Sequence, residues 1–195
     1  MDIGLPLLGI AIIIIIIAFK KLPTIKQSRP WLFWSVIFLF CFLSLFGANE
    51  FLRRKIGGFG GSYPFVEYWD IKASEREITD AIKALNKTNS NFQPPSNVEL
   101  ISTRDTSDDR DYWLYINLYY PDTKEIVHTW TRPDFDTTVT TFAFVSLSTI
   151  GKTNNFRLIN RDFWYIANKR QINKFKSTFV DKIQEQIDKK RKSGT

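Results

Sequence analysis

Residues Tyr112–Thr131 read YWLYINLYYPDTKEIVHTWT. The first nine alternate. Tyr112, Leu114, Ile116, Leu118 and Tyr120 fall on one side, and Trp113, Tyr115, Asn117 and Tyr119 on the other, which is the period of two that a strand requires. Pro121-Asp122-Thr123 then places proline at its favoured turn corner, and Glu125–Thr131 runs back as a second strand. The stretch therefore predicts an antiparallel hairpin.

Outward from the hairpin, Thr137–Ser148 has the Thr, Val and Phe content of a long strand, and Gly151–Asn155 is a turn. Phe156–Ile159 and Phe163–Ile166 read as short strands. Over 168–190, Ile172, Phe175, Phe179, Val180, Ile183 and Ile187 recur near every 3.6 residues and predict a long C-terminal helix. The stripe drifts from a strict heptad, as expected of a helix lying on a sheet rather than in a long coiled coil.

On the N-terminal side, Val98–Ser102 reads as a short strand and 86–97 as a loop containing Pro94-Pro95. Ser74 with Glu77 forms a capping-box pattern, and Ile78, Ala81, Ile82 and Leu85 give residues 75–86 one apolar helical face. Tyr63–Lys72 has strand composition. The predicted class for residues 63–195 is α+β: an antiparallel sheet against a short helix and a long C-terminal one. Helix-grip and cystatin-like folds share that layering, an analogy that assigns no function.

The first fifty-five residues obey a different physics. Ile3–Phe19 holds no charge, and twelve of its seventeen residues are Ile, Leu or Phe. As a helix it rises about 25 Å, at the short end for a bilayer core. Trp31–Ala48 (WLFWSVIFLFCFLSLFGA) is the second such segment, with Pro30 at its start and Trp31 and Trp34 at one end. Neither has a polar face, so two transmembrane helices, about 3–19 and 31–48, are predicted within an anchor spanning 1–55.

A cleaved leader is not expected, because the run lacks a basic start and ends Ala18-Phe19-Lys20-Lys21 without a small-x-small site. Neither segment carries an internal ionisable side chain, which disfavours an ion path. The loop 20–30 brings Lys20, Lys21, Lys26 and Arg29, which places it in the cytoplasm and residues 63–195 in the periplasm or outside the cell. Across the second segment Arg53, Arg54 and Lys55 nearly balance that loop, which leaves the mirror topology as the alternative.

Between anchor and domain lies the glycine-rich linker 56–62. Its glycines close no G-x-G-x-x-G register and no strand-turn-helix surrounds them, so a hinge rather than a phosphate loop is expected.

The net charge of +7 divides unevenly. Residues 1–61 hold seven Lys/Arg and two acids, while 62–195 hold twenty and eighteen, four of the twenty being the tail Lys189–Lys192. The fold carries no clustered positive face for phosphate, and no nucleic-acid partner is expected. Cys41, the sole cysteine, lies in the second apolar segment, so residues 63–195 form no internal disulfide.

Candidate chemistry is sparse. His128, the sole histidine, shares a face with Ile126 and Trp130 and reads as a half-buried structural residue, since no nucleophile motif points to it. Asp105, Asp108, Asp109 and Asp111 lack calcium-loop spacing and are broken by Arg110; they read as a solvated loop, with Asp134 and Asp136 a weaker version. Trp113, Tyr115, Asn117 and Tyr119, with His128, form a candidate binding surface, or else a second buried face. No cofactor or metal is expected.

The functional expectation is a membrane-anchored interaction or accessory module of the cell envelope, non-enzymatic, in the bacterial inner or plasma membrane. Its partners are the lipid bilayer and another envelope protein. The alternative is a tethered α+β domain that binds a small ligand or catalyses a reaction in a pocket between helix and sheet.

Overall fold

The structure, a computed structural model, describes residues 29–57, 63–88, 92–102, 113–135, 137–151 and 155–193. The expected helix 3–19, most of the loop after it, linker residues 58–62, Tyr112 and the acidic run 105–111 lie outside these. The chain divides into two units, Met1–Phe51 and Leu52–Thr195.

Among the described residues, one helix is long and apolar enough to cross a membrane. This is α1, Pro30–Lys55, with a mean hydropathy of 2.1 over its most apolar window and none of that window buried. Pro30 occupies its first position, where a missing N–H costs nothing. The helix passes the expected end at Ala48, because Asn49 and Glu50 interrupt the apolar run without breaking helix geometry. Arg53, Arg54 and Lys55 then fill its last turn, where cations suit the helix dipole. It ends at Gly57, whose positive φ of 72° supplies the left-handed stop, and a Cβ there would strike the Pro64 carbonyl. The first glycine of the linker is thus a fixed helix stop.

The second unit is α+β. Its elements are β1 (Glu67–Ile71), α2 (Glu75–Thr88), β2 (Leu114–Tyr120), β3 (Glu125–Pro133), β4 (Thr140–Thr149) and β5 (Phe156–Leu158). They are followed by α3 (Tyr165–Phe175), a π-helical turn (Lys176–Val180) and α4 (Asp181–Ser193). Every pairing is antiparallel, in the order β1-β4-β3-β2, and β5 also pairs with β4. Because β3 takes one edge of β4, β1 and β5 share the other end to end. The antiparallel hairpin forms as expected; its register sets Leu118 opposite Val127, and Lys124 at φ 54° closes its turn.

Residue parity decides which side of the sheet is covered. Ile116, Leu118 and Tyr120 of β2, Val127 of β3, Phe142, Phe144 and Leu147 of β4, and Ile71 of β1 form one buried cluster. Ile78, Ala81 and Ile82 of α2 join it, as do Ile172, Phe175, Phe179, Ile183 and Ile187 of the C-terminal helices. Phe175 stacks on Phe144 at 4.5 Å, and Phe179 stacks on Tyr120 at 5.4 Å. Each such ring contributes about 1.5–3 kcal/mol by leaving water. Several polar groups on this side are paired: the Thr129 hydroxyl donates to Ile116 O at 2.7 Å, the Thr140 hydroxyl to Ala73 O at 2.8 Å, and Glu125 pairs with Arg157. The buried Tyr120 hydroxyl meets no partner among the described residues.

The apolar parity of β4 changes midway. Phe142 and Phe144 face the helices, and so does Leu147, three residues on. A β-bulge absorbs the extra residue: Thr129 pairs with Phe144 but His128 pairs with Ser146, leaving Val145 over. The Val145 carbonyl accepts from Ile159 N at 3.0 Å, at the break between β1 and β5.

The capping box forms as read. Ser74 N and Oγ both donate to Glu77 Oε2 at 2.9 Å, and Glu77 N donates back to Ser74 Oγ at 3.3 Å. These donors, the Ser74 backbone N–H foremost, hold the Glu77 carboxyl below its usual range.

Three expected elements differ. Val98–Ser102 makes a single bridge, Ile101 to Ile116, because its start is spent in a turn closed from Val98 N to Pro95 O. Phe163–Ile166 is no strand. Asn160, at φ 62°, turns the chain, and Trp164 is the extended cap of a helix that begins at Tyr165, three residues before the expected start. Asn168 fixes this corner: its Oδ1 accepts Asn160 N at 2.8 Å, and its Nδ2 donates to Asn160 Oδ1 at 2.6 Å. The C-terminal helix is also interrupted by its π turn, which accounts for the drift of its stripe.

Candidate functional site

The outer face of the sheet carries the residues that the sequence singled out. From β2 come Tyr115, Asn117 and Tyr119, and the register sets Trp130, His128 and Ile126 beside them. Past the bulge, β4 adds Ser146 and Ser148.

Asn117, His128 and Ser148 form a line across three strands. Asn117 Oδ1 lies 2.9 Å from His128 Nδ1, and His128 Nε2 lies 2.8 Å from Ser148 Oγ. The proton positions follow from the neighbours. Asn117 Nδ2 donates to Glu99 O at 2.9 Å, so its Oδ1 is the atom facing the imidazole. Nδ1 therefore carries the hydrogen, and Nε2 accepts the Ser148 hydroxyl. Burial pushes the imidazole pKa down to about 4, so the ring is neutral at pH 7. The Phe156 ring sits 5.0 Å from it and is itself 59% exposed.

This order, hydroxyl to imidazole to amide, has the polarity of a nucleophile, its base and an orienting group. Two further requirements of acyl transfer are not met. Ser148 lies within a regular ladder, opposite Ile126 and Phe156, rather than on a sharp turn that would present Oγ; it is 8% exposed. Strand N–H groups lie in the plane of the sheet, so none converges above Oγ as an oxyanion hole. What the line does is satisfy both ring nitrogens of a half-buried neutral histidine.

The other end of the face is aromatic. Tyr63 Oη and Tyr115 Oη are 2.6 Å apart. Trp113 meets Tyr63 edge-on at 5.3 Å, and Trp130 lies 5.8 Å from Tyr63 and 6.3 Å from Trp113. Tyr63, Trp113 and Tyr115 are half-buried and Trp130 is buried. Tyr119 lies opposite Ile126, apart from this cluster. The five candidates thus divide: Trp113 and Tyr115 enter the ring cluster, Asn117 and His128 the polar line, and Tyr119 neither.

Sequence reading missed Tyr63 and Ser148. For Ser148 the signal was present in FVSLS, where the phase shift between Phe144 and Leu147 sends Ser146 and Ser148 outward.

Among the described residues no group of three His, Cys, Asp or Glu could hold a metal ion. Asp134 Oδ1 caps its own turn by accepting Phe135 N at 2.8 Å; Asp136 is outside the described residues. The basic tail is partly engaged, since Arg191 meets Glu77 at 3.0 Å and Lys190 meets Asp80 at 3.2 Å. Those pairs border an open groove of about 690 Å³ between α2 and α4. Between Ile82, Leu118, Phe179 and Ile183, where helices meet sheet, the space is about 10 Å³, no more than one water. No family model, curated protein or solved structure matches this chain.

Proposed function

We propose that the chain is an integral membrane protein, anchored by residues 3–19 and α1. Its sheet domain lies outside the cytoplasm and serves as a non-enzymatic interaction or accessory module for another envelope protein. The observation that carries the reading is α1, 26 residues long with a mean hydropathy of 2.1 and none of its apolar window buried. At 1.5 Å per residue it reaches about 39 Å, more than the ~30 Å hydrocarbon core. Exposed Trp31 and Trp34 suit its interfacial end. The orientation rests on Lys20, Lys21, Lys26 and Arg29 as a cytoplasmic loop. The non-enzymatic part is supported by the outer face, where the strands around the His128–Ser148 pair aim no N–H group at the Ser148 hydroxyl among the described residues.

Protease added to intact spheroplasts tests the placement. Cleavage of the sheet domain is expected; protection until lysis overturns the orientation, and release of the chain from membranes by alkali overturns the anchor. Cross-linking in intact cells should then recover one reproducible partner, and consistent recovery of none removes the module reading.

A second reading, a small-ligand or catalytic domain, is favoured by the Asn117–His128–Ser148 line alone. A fluorophosphonate probe separates the two. No labelling is expected, whereas labelling that disappears in both Ser148→Ala and His128→Gln establishes the catalytic reading instead.

A further inference from the structure

Trp164, Tyr165 and Ile166 stand exposed in succession where the chain enters α3. Three large, mostly apolar side chains in a row are an unusual surface for water. Their neighbours are cations. Arg54 Nε donates to Arg161 O at 2.8 Å, and its guanidinium lies 4.5 Å over the Trp164 ring. Arg53 donates to Asn160 O at 2.9 Å and to Phe163 O at 2.7 Å. Lys169 and Arg170 are exposed on the next turn of α3. Arg53 and Arg54 belong to the same unit as this corner, Leu52–Thr195, so the patch is one built surface.

We infer that this patch is a lipid contact: Trp164, Tyr165 and Ile166 enter the interfacial layer of the bilayer, and Arg54, Lys169 and Arg170 meet anionic headgroup phosphates. The inference rests on the reading of α1 as a membrane span. The chain itself fixes the depth. Arg54 follows Ala48, where the apolar run ends, by six helical residues, an axial rise of about 9 Å, which brings it to the outer edge of the headgroup layer beyond the ~30 Å core. Residues bonded to the Arg53 and Arg54 guanidiniums are therefore held at headgroup depth. Trp and Tyr are the side chains that concentrate there, with an apolar body and a polar tip. Asp162, two residues before Trp164, is occupied by Leu158 N at 2.8 Å and Arg161 Nε at 3.0 Å, and the exposed Lys169 and Arg170 supply the positive charge suited to phosphate.

The test uses the full chain carrying Cys41→Ser and one new cysteine, either Ile166→Cys or, as reference, Thr123→Cys in the exposed β2–β3 turn. Each is labelled with nitrobenzoxadiazole and reconstituted in phosphatidylcholine vesicles with or without phosphatidylglycerol. The label at 166 should emit to the blue of the label at 123 and be quenched by doxyl-labelled lipid. Quenching should fall without phosphatidylglycerol, and Arg54→Gln should weaken the contact by about fivefold, the effect of one cation near an anionic surface. Equal, aqueous emission at both positions in a chain that resists alkali overturns the patch and leaves the span. Loss of the chain to alkali overturns the span and the patch together. Quenching at 166 indifferent to phosphatidylglycerol and to Arg54→Gln overturns the anionic specificity.

Discussion

The same sheet presents two unlike surfaces. Toward the helices the sheet is a continuous apolar layer that also encloses a few hydroxyls, such as that of Thr129, which donates to Ile116 O. Away from them it carries a line of polar side chains beside a group of rings. Burial of apolar area is non-directional, so the helix side is defined by which residues are apolar. The outer side is defined by which atoms reach each other, and that depends on register to within one residue. Val145, the bulged residue, links the two, because the extra position lets Phe144 and Leu147 face one way and Ser148 the other.

The contrast can be broken most severely from the helix side. Phe144→Ala removes a fully buried ring stacked on Phe175 and is expected to cost about 3–5 kcal/mol of stability, read by denaturant unfolding in detergent.

A smaller effect belongs to the outer face. The folded His128 pKa is lowered from 6.5 to about 4, so the unfolded state binds more protons between those values. Stability from the neutral ring is complete above about pH 6.5 and declines as pH falls toward 4, with a slope of at most about 1.4 kcal/mol per pH unit. His128→Gln should flatten that part of the stability–pH curve; an unchanged curve means the imidazole is solvated.

Next is Ser74→Ala, which removes the α2 cap without touching either face and should cost about 1 kcal/mol in the same unfolding measurement. Glu77, whose carboxyl is held below its usual range, adds stability that is present above its unfolded pKa and lost as pH falls through the lower folded value. The smallest change is Lys190→Gln, which breaks an exposed pair with Asp80 and should cost about 0.5 kcal/mol or less. A loss as large as that of Phe144→Ala would mean that the groove between α2 and α4 has a structural role the helix side does not share.

Legibility followed the same division. The hairpin, the capping box and the apolar stripes of α2 and of the C-terminal helices were written in local periodicity, because each concerns neighbours within one turn or one strand pair. The candidate site was legible only in its β2 and β3 residues. Ser148 joins His128 through a bulge, and Tyr63 joins Tyr115 from fifty-two residues away; neither relation has a local signature. The start of α3 was misjudged because Phe163–Ile166 is apolar for two reasons at once. Phe163 is buried, while Trp164 and Ile166 are exposed, so no single periodicity describes the segment.

The π turn at Lys176–Val180 has a counterpart in the bulge at Val145. Each holds one residue more than its regular geometry needs, one in the helical layer and one in the sheet beneath it. Both are seams where the chain changes phase without losing its buried stripe. In aligning, shortening or redesigning this architecture, a one-residue gap placed at either seam leaves every inward side chain pointing inward. The same gap placed elsewhere in those elements would turn half of them out.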